Sequence, residues 1–167
     1  GFLVVIIVVV VKAQLSQRLR DETTQNLARE ARFVATQWGP ASDPATLAKA
    51  AGQALGRRVT LIREDGVVIG DTDFEGDALR RLENHRSRPE VATALKGEIG
   101  SSLRPSASRG DVELYVAVRA PLGIARVSVP TGSLDAIVAA AGRDAASAGA
   151  FALLGALVLA WLFSQAV

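Results

Sequence analysis

The chain has 167 residues, a length that suits one domain of ordinary size. Its 19 basic and 17 acidic residues leave a formal charge of +2, so the strongly basic surface of a nucleic-acid-binding protein is not expected. The absence of cysteine excludes disulfides and thiolate metal sites, and we expect no cofactor.

The two ends of the chain are apolar, because every charged residue lies between Lys12 and Asp144. As a helix, segment 144–167 would be long enough to cross a hydrocarbon core of about 30 Å, and we expect it to be a transmembrane helix. Residues 1–11 would be too short, so we expect them to be the end of a truncated first span. Small residues in the second span have the spacing of close helix packing, with a lipid-facing stripe as the alternative: Ala145, Gly149, Ala152, Ala156 and Ala160.

Two helices are predicted before the first strand. Apolar residues recur every three or four positions along Lys12–Trp38, which predicts one long helix that Gly39-Pro40 ends. We expect its lower half to be a stalk and its upper half to pack on the domain. Asp43-Pro44 then supplies the N-cap and first-turn proline of a second helix, which Gly56 closes.

Five later segments have the composition and alternation of β-strands. Asp65-Gly66 predicts a hairpin between the first two, while Asp77 and Pro89 mark the starts of two short helices before the third. The order predicts an α+β domain with an antiparallel sheet of about five strands and helices on one face. The predicted strands are Arg58–Glu64, Val67–Asp71, Ile99–Ser106, Val112–Arg119 and Ile124–Val129.

The segment Glu83–Val91 has the pattern Glu-Asn-His-x-x-Arg-Pro-Glu-Val. Together with less specific stretches, it resembles the extracytoplasmic sensor domain of phosphate-regulon-type sensor histidine kinases, a PAS-like, single-Cache fold. The connection Ala120–Gly123 is shorter than the family usually has, and the kinase part is absent. The less specific stretches are Asp65–Thr72, Ala94–Gly97, Tyr115–Val118 and Ala125–Pro130.

This resemblance implies a non-catalytic sensory input module in which residues 12–143 form a PAS-like domain. It would lie on the periplasmic side of a bacterial inner membrane, between the two apolar segments, with lipid and other transmembrane helices as partners. The alternative is a kinase-less structural subunit of a larger membrane complex, such as a photosynthetic or respiratory one. We expect no enzyme activity, because the sequence lacks phosphate-binding loops, nucleophile elbows and zinc motifs.

Four residues are candidate contacts for a small anionic ligand, a carboxylate or a phosphate. His85 lies among charged residues, although such a histidine often caps a helix end instead. Tyr115 and Arg119 share one face of a predicted strand near Arg126, with a solvated outer sheet face as the alternative. The four candidates are His85, Arg88, Tyr115 and Arg119.

One acidic segment resembles the beginning of a calcium-binding loop. Asp71, Asp73 and Glu75 alternate before Gly76, as oxygen ligands do in such loops. The position that should supply a bidentate glutamate is Leu82, however. We therefore favour turn acids and a helix N-cap over a metal site.

Overall fold

A computed structural model describes residues 2–106 and 110–132, in which residues Asp21–Thr131 form one compact unit. No helix within these two ranges is both long and apolar enough to cross a membrane. The predicted span 144–167, with Ala145, Gly149, Ala152, Ala156 and Ala160, lies outside the described residues. The elements in chain order are α1 (Phe2–Gln37), α2 (Pro44–Leu55), β1 (Arg58–Ile62), β2 (Val68–Asp71), α3 (Gly76–Arg80), α4 (Pro89–Leu95), β3 (Gly100–Pro105), β4 (Val112–Ala120) and β5 (Gly123–Pro130).

The strands form the predicted five-stranded antiparallel sheet, in the order β2-β1-β5-β4-β3. β4 and β5 are joined by a tight hairpin and extend across the middle of the sheet. Their register places Tyr115 opposite Ser128 and Ala117 opposite Arg126. The register decides which face each side chain joins, because neighbouring residues of a strand point to opposite faces.

One face of the sheet packs against α1 and α2 around an apolar core. Leu27, Ala31, Val34 and Trp38 form the buried stripe of α1. The sheet contributes alternate residues from its three inner strands to this core: Val59, Leu61, Leu114, Val116, Val118, Ala125 and Val127.

The opposite face is also covered, so the prediction of helices on one face is wrong. α4 buries Val91 and Ala94 against Ala117 and Ile124, and Leu79 of α3 joins the same cluster. The error arose because the polar positions of β4 resemble a solvated face. The structure buries two of these residues, Glu113 and Tyr115.

Local signals mark α2 and the first hairpin as predicted. The Asp43 carboxylate accepts a hydrogen bond from the Thr46 backbone at 2.8 Å, and Gly56 ends α2 in the left-handed conformation. In the β1–β2 hairpin the Arg63 N–H donates to the Val67 carbonyl at 2.9 Å and closes a loop of three residues, 64–66. The Gly66 N–H donates to the Arg63 carbonyl at 2.8 Å, and Gly66 has φ 89°. Such loops place a left-handed residue at the third position, which explains the glycine after Asp65.

The start of α3 differs from the prediction. Its N-cap is Glu75, whose side chain makes no capping hydrogen bond, and Asp77 lies within the first turn, where it pairs with Arg80. An acidic residue in a first turn is stabilised by the helix dipole without capping.

The close contact between α4 and β3 depends on Gly100. A Cβ atom at this position would overlap the carbonyl oxygen of Glu90. We therefore expect Gly100→Ala to lower the free energy of unfolding by about 1–3 kcal/mol through overpacking. Urea denaturation measures this change, with the exposed neighbour Ser101→Ala as a control expected to stay within about 0.5 kcal/mol. Equal stabilities of the two variants would contradict this packing.

Candidate functional site

A cavity of about 310 Å³ lies between the polar face of the sheet and the segment from α3 to the start of α4. This volume is at the lower end of the range for small-molecule sites, which begins near 300 Å³. We call it the arginine cavity, because five arginines line it: Arg58, Arg81, Arg88, Arg104 and Arg126. The remaining lining residues are Phe74, Leu82, Glu83, His85, Ser106 and Tyr115.

Tyr115 forms the centre of the sheet-side wall. The Arg104 guanidinium lies 4.0 Å from the centre of the Tyr115 ring, and the Arg126 guanidinium lies 4.9 Å from it. Cations at these distances are attracted to the ring face. Three adjacent strands, β3, β4 and β5, thus hold two guanidinium groups on one aromatic ring.

Glu90 of α4 connects these two arginines. Its Oε1 accepts a hydrogen bond from Arg104 at 2.8 Å and another from Arg126 at 3.2 Å, and its side chain is fully buried. Burial acts to raise the pKa of Glu90, but the Arg104 hydrogen bond and the Arg126 charge outweigh it and hold this pKa below 4.5. The carboxylate is therefore ionised at neutral pH, and it fixes both arginines.

A second buried ion pair holds Arg58. Its guanidinium lies 3.2 Å from Asp71, which also accepts the Thr60 hydroxyl at 2.8 Å and the Asp73 backbone N–H at 2.9 Å. Arg58 also lies 5.2 Å from the centre of the Phe74 ring. The Asp71 carboxylate and the Phe74 ring thus together fix the orientation of the Arg58 guanidinium.

The acidic side chains of the calcium-like segment form ion pairs in the structure. Asp71 and Asp73 both pair with Arg58, and Glu75 pairs with Lys49 at the surface. Within residues 2–106 and 110–132, no group of three carboxylates or histidines could hold a metal ion. Basic side chains thus already pair with all three acids of the weak metal candidate.

His85 is both a structural and a cavity-lining residue. Its Nδ1 lies 2.7 Å from the Glu83 carbonyl oxygen, so Nδ1 carries the proton and donates. Burial, followed by the charge of Arg126, lowers the pKa of His85 from 6.5 to about 4, although the Glu83 carbonyl opposes this. The imidazole is therefore neutral at pH 7. The histidine thus donates to a backbone carbonyl in the segment that precedes α4.

Residues 83–88, which we call the wall segment, are fastened to the β1–β2 hairpin. The Asn84 amide donates to the Asp65 carbonyl at 2.8 Å, and the His85 backbone N–H donates to the Gly66 carbonyl at 2.8 Å. Gly66 also approaches Asn84 too closely to carry a side chain. The pattern Glu83–Val91 thus has a structural explanation: it fixes one wall of the cavity, starts α4 and supplies Glu90.

The structure brings together three of the four predicted contact residues. His85, Arg88 and Tyr115 all line the arginine cavity. Arg119 does not; its guanidinium pairs with Glu64 and donates to the Leu95 carbonyl at 2.8 Å. The alternative of a solvated face is wrong for Tyr115, which is 2% exposed.

Sequence reasoning missed three important residues of this site. Arg58 and Arg104 were assigned only to strands, and Glu90 only to a motif. The register of β3 on β4, in which Ser102 lies opposite Tyr115, would have placed Arg104 near the tyrosine. Nothing in the sequence indicated that α4 would reach across to pair Glu90 with β3 and β5.

The charges of the lining favour an anion. Glu83 is the one acidic residue beside the five arginines that line the cavity, and it is itself paired with Arg88 at 3.0 Å. Asp71 and Glu90 lie behind the wall, where they hold arginines in place. Guanidinium groups in this arrangement can bind a carboxylate or a phosphate through charge-assisted hydrogen bonds.

Removing the negative charge of Glu90 should strongly destabilise the domain. We expect Glu90→Gln to lower the free energy of unfolding by about 3–5 kcal/mol, because two arginines lose a buried partner. Glu83→Gln is the matched control, since its side chain is 81% exposed and its ion pair should contribute less than about 1 kcal/mol. Urea denaturation at neutral pH measures the free energy of unfolding of both variants. Similar losses would mean that Glu90 is not the central ion-pair partner.

Neutral His85 should make stability fall in mildly acidic solution. Its folded pKa, about 4, lies below the ordinary value of 6.5, so stability present above pH 6.5 is lost as the pH falls toward 4. We expect His85→Asn, which retains a donor near the Nδ1 position, to lose this part of the pH dependence. Urea denaturation of both proteins between pH 7 and pH 4 measures it. Parallel curves for the two proteins would contradict a buried neutral histidine.

Comparison with known proteins gives matches in structure alone, since the sequence matches no protein-family model and no curated protein. The ligand-binding domain of the Campylobacter jejuni chemoreceptor Tlp3 in complex with L-norvaline matches with a TM-score of 0.58 and 14% identity, covering 77% of this chain and 59% of that one. The Tlp3 sensory domain with isoleucine bound matches at 0.55 and 14%, covering 79% and 60%.

A second chemoreceptor has the same fold. The ligand-binding domain of the Pseudomonas aeruginosa PAO1 amino acid chemoreceptor PctC, in complex with GABA, matches with a TM-score of 0.57 and 16% identity, covering 78% of this chain and 64% of that one. The chain therefore spans about 60% of the length of the Tlp3 domains that it matches. At these identities the likeness concerns the fold, and the fold of this chain is that of chemoreceptor ligand-binding sensory domains.

Proposed function

We propose that the chain is the sensory input module of a bacterial membrane receptor of the histidine-kinase type, and that it binds a small anion in the arginine cavity. The observation that carries this proposal is the lining, in which five arginines accompany a single glutamate. An anion among these side chains would gain charge-assisted hydrogen bonds and would reduce the repulsion between like charges.

The guanidinium groups are held in place before any ligand arrives. Arg104 and Arg126 are fixed by Glu90, and Arg58 is fixed by Asp71. Binding costs less conformational entropy when the side chains of the site are already ordered before the ligand arrives. This preorganisation supports a binding site more than a chance cluster of surface charges.

The same charges favour a sensor over a structural subunit. Burying ion pairs contributes little net stability, and apolar residues of similar volume often stabilise a fold more. A domain needed only for assembly would gain from an apolar filling between α4 and the sheet. A cavity of about 310 Å³ with a charged lining is better explained by a ligand.

The location and the receptor type rest on the sequence and on the fold. The fold shared with chemoreceptor sensory domains supports an extracytoplasmic position. The uncharged segments 1–11 and 145–167 would anchor the domain in the inner membrane, where they would contact lipid and other transmembrane helices. The Glu83–Val91 pattern supports the histidine-kinase type. We propose that the module is non-catalytic and that α1 transmits the signal.

Anion binding should depend on Arg88. We expect Arg88→Gln to weaken the binding of a saturating small anion by about 10- to 100-fold, because a charged donor worth about 1.5–3 kcal/mol is lost. Isothermal titration of the full 167-residue chain with butyrate, glutarate and inorganic phosphate, at constant ionic strength, measures this.

Arg119→Gln is the matched control, because Arg119 is also paired with a glutamate but does not line the cavity. The affinity of this variant for each anion should stay within about twofold of that of the unmodified chain, as expected for a charge outside the site. The proposal fails if none of the three anions binds saturably, or if both arginine variants lose affinity equally.

A further inference from the structure

We infer that the arginine cavity selects a small dicarboxylate with a short apolar linker and discriminates against ligands that carry an ammonium group, including amino acids. This inference rests on the proposed sensory function and specifies its ligand. The predicted ligand differs from those of the structurally similar sensory domains, whose structures contain isoleucine, L-norvaline or GABA.

An ammonium group would find no suitable carboxylate in the cavity. Asp71 is occupied by Arg58, Thr60 and the Asp73 backbone. Glu90 is fully buried and outside the lining: its Oε1 is shared by two arginines, and its Oε2, which makes no hydrogen bond, has no surface that a ligand could reach. Glu83 lines the cavity, but its side chain is 81% exposed and paired with Arg88. A primary ammonium normally needs such a partner once it leaves water.

The aromatic rings offer no better site for a cation. Ring faces can replace carboxylates in binding ammonium groups. In this cavity, however, Arg58 lies over Phe74, and Arg104 and Arg126 both lie over Tyr115. An incoming ammonium would therefore have to compete with a guanidinium at either ring, beside further positive charges.

Two separate groups of arginines can each receive one acidic group. Arg104 and Arg126 lie on the sheet, on β3 and β5, and both line the cavity. Their guanidinium groups are already ordered by Glu90 and by the Tyr115 ring. Arg81 and Arg88 lie across the cavity wall, at the end of α3 and the start of α4.

The size and the apolar part of the lining indicate a carbon linker. A volume of about 310 Å³ corresponds to roughly ten water molecules at about 30 Å³ each, more than a single inorganic anion occupies. Leu82 and Phe74 supply apolar surface within the same lining. A short chain of methylene groups, with one carboxylate at each end, matches both features.

Three probes test this selectivity, because they share a short carbon chain and differ at one end. Glutarate carries a second carboxylate at the carbon where GABA carries an ammonium, and butyrate carries only a hydrogen atom there. In isothermal titration of the full chain at constant ionic strength, we expect glutarate to bind at least tenfold more tightly than butyrate, and GABA to bind more weakly than butyrate.

A matched pair of variants tests the second group of arginines. Arg81→Gln should reduce the glutarate-to-butyrate affinity ratio toward one, while leaving butyrate affinity nearly unchanged. Arg80→Gln is the control. Arg80 is the residue before Arg81, but its side chain is 73% exposed, pairs with Asp77 and does not line the cavity. It should leave the ratio unchanged.

The outcomes separate this inference from the proposed function. If GABA binds as tightly as glutarate, the inference is overturned, while a sensor of small anions remains. Inorganic phosphate binding as tightly as glutarate would overturn the carbon linker, and with it the inference. If butyrate, glutarate and phosphate all fail to bind, both the inference and the proposed function are overturned.

Discussion

The site depends on one buried carboxylate, that of Glu90, which two arginines from different strands share. Glu90 lies in the first turn of α4, which packs across the sheet, and its partners Arg104 and Arg126 lie on β3 and β5. The carboxylate therefore ties three elements together at one point. Such a buried pair contributes little net stability, but its loss leaves uncompensated charge, so the geometry is strongly specified.

The two faces of the sheet divide folding from binding. The α1–α2 face buries an apolar core that includes Leu61, Val116 and Val127, and its burial stabilises the domain. The opposite face has the smaller apolar cluster, and its remaining positions carry charged or polar residues. Because adjacent residues of a strand point to opposite faces, β4 and β5 contribute side chains both to the apolar core and to the cavity. A one-residue shift in register would exchange the two faces.

The sheet could be predicted from the sequence because its evidence is local. Alternation in β4, the glycine after Asp65 and the Asp43 cap each depend on neighbouring residues, and the structure confirms all three. The arginine cavity depends on distant contacts. Glu113 and Tyr115 alternate with apolar residues, which is also the pattern of a solvated face. Only the packing of α4 decides that this face is buried.

Two further groups of charged residues show the same dependence on distant contacts. Arg119 shares a strand face with Tyr115, as predicted, but it lies nearer the hairpin end, where Glu64 and the Leu95 carbonyl hold it. Asp71 and Asp73 have calcium-like spacing, but Arg58 from a neighbouring strand neutralises them. In both cases the local pattern indicates the chemistry of the side chains but not the residue with which each one pairs. Charge pairing across strands decides the partner, and it therefore also decides which guanidinium groups remain on the cavity wall for a ligand.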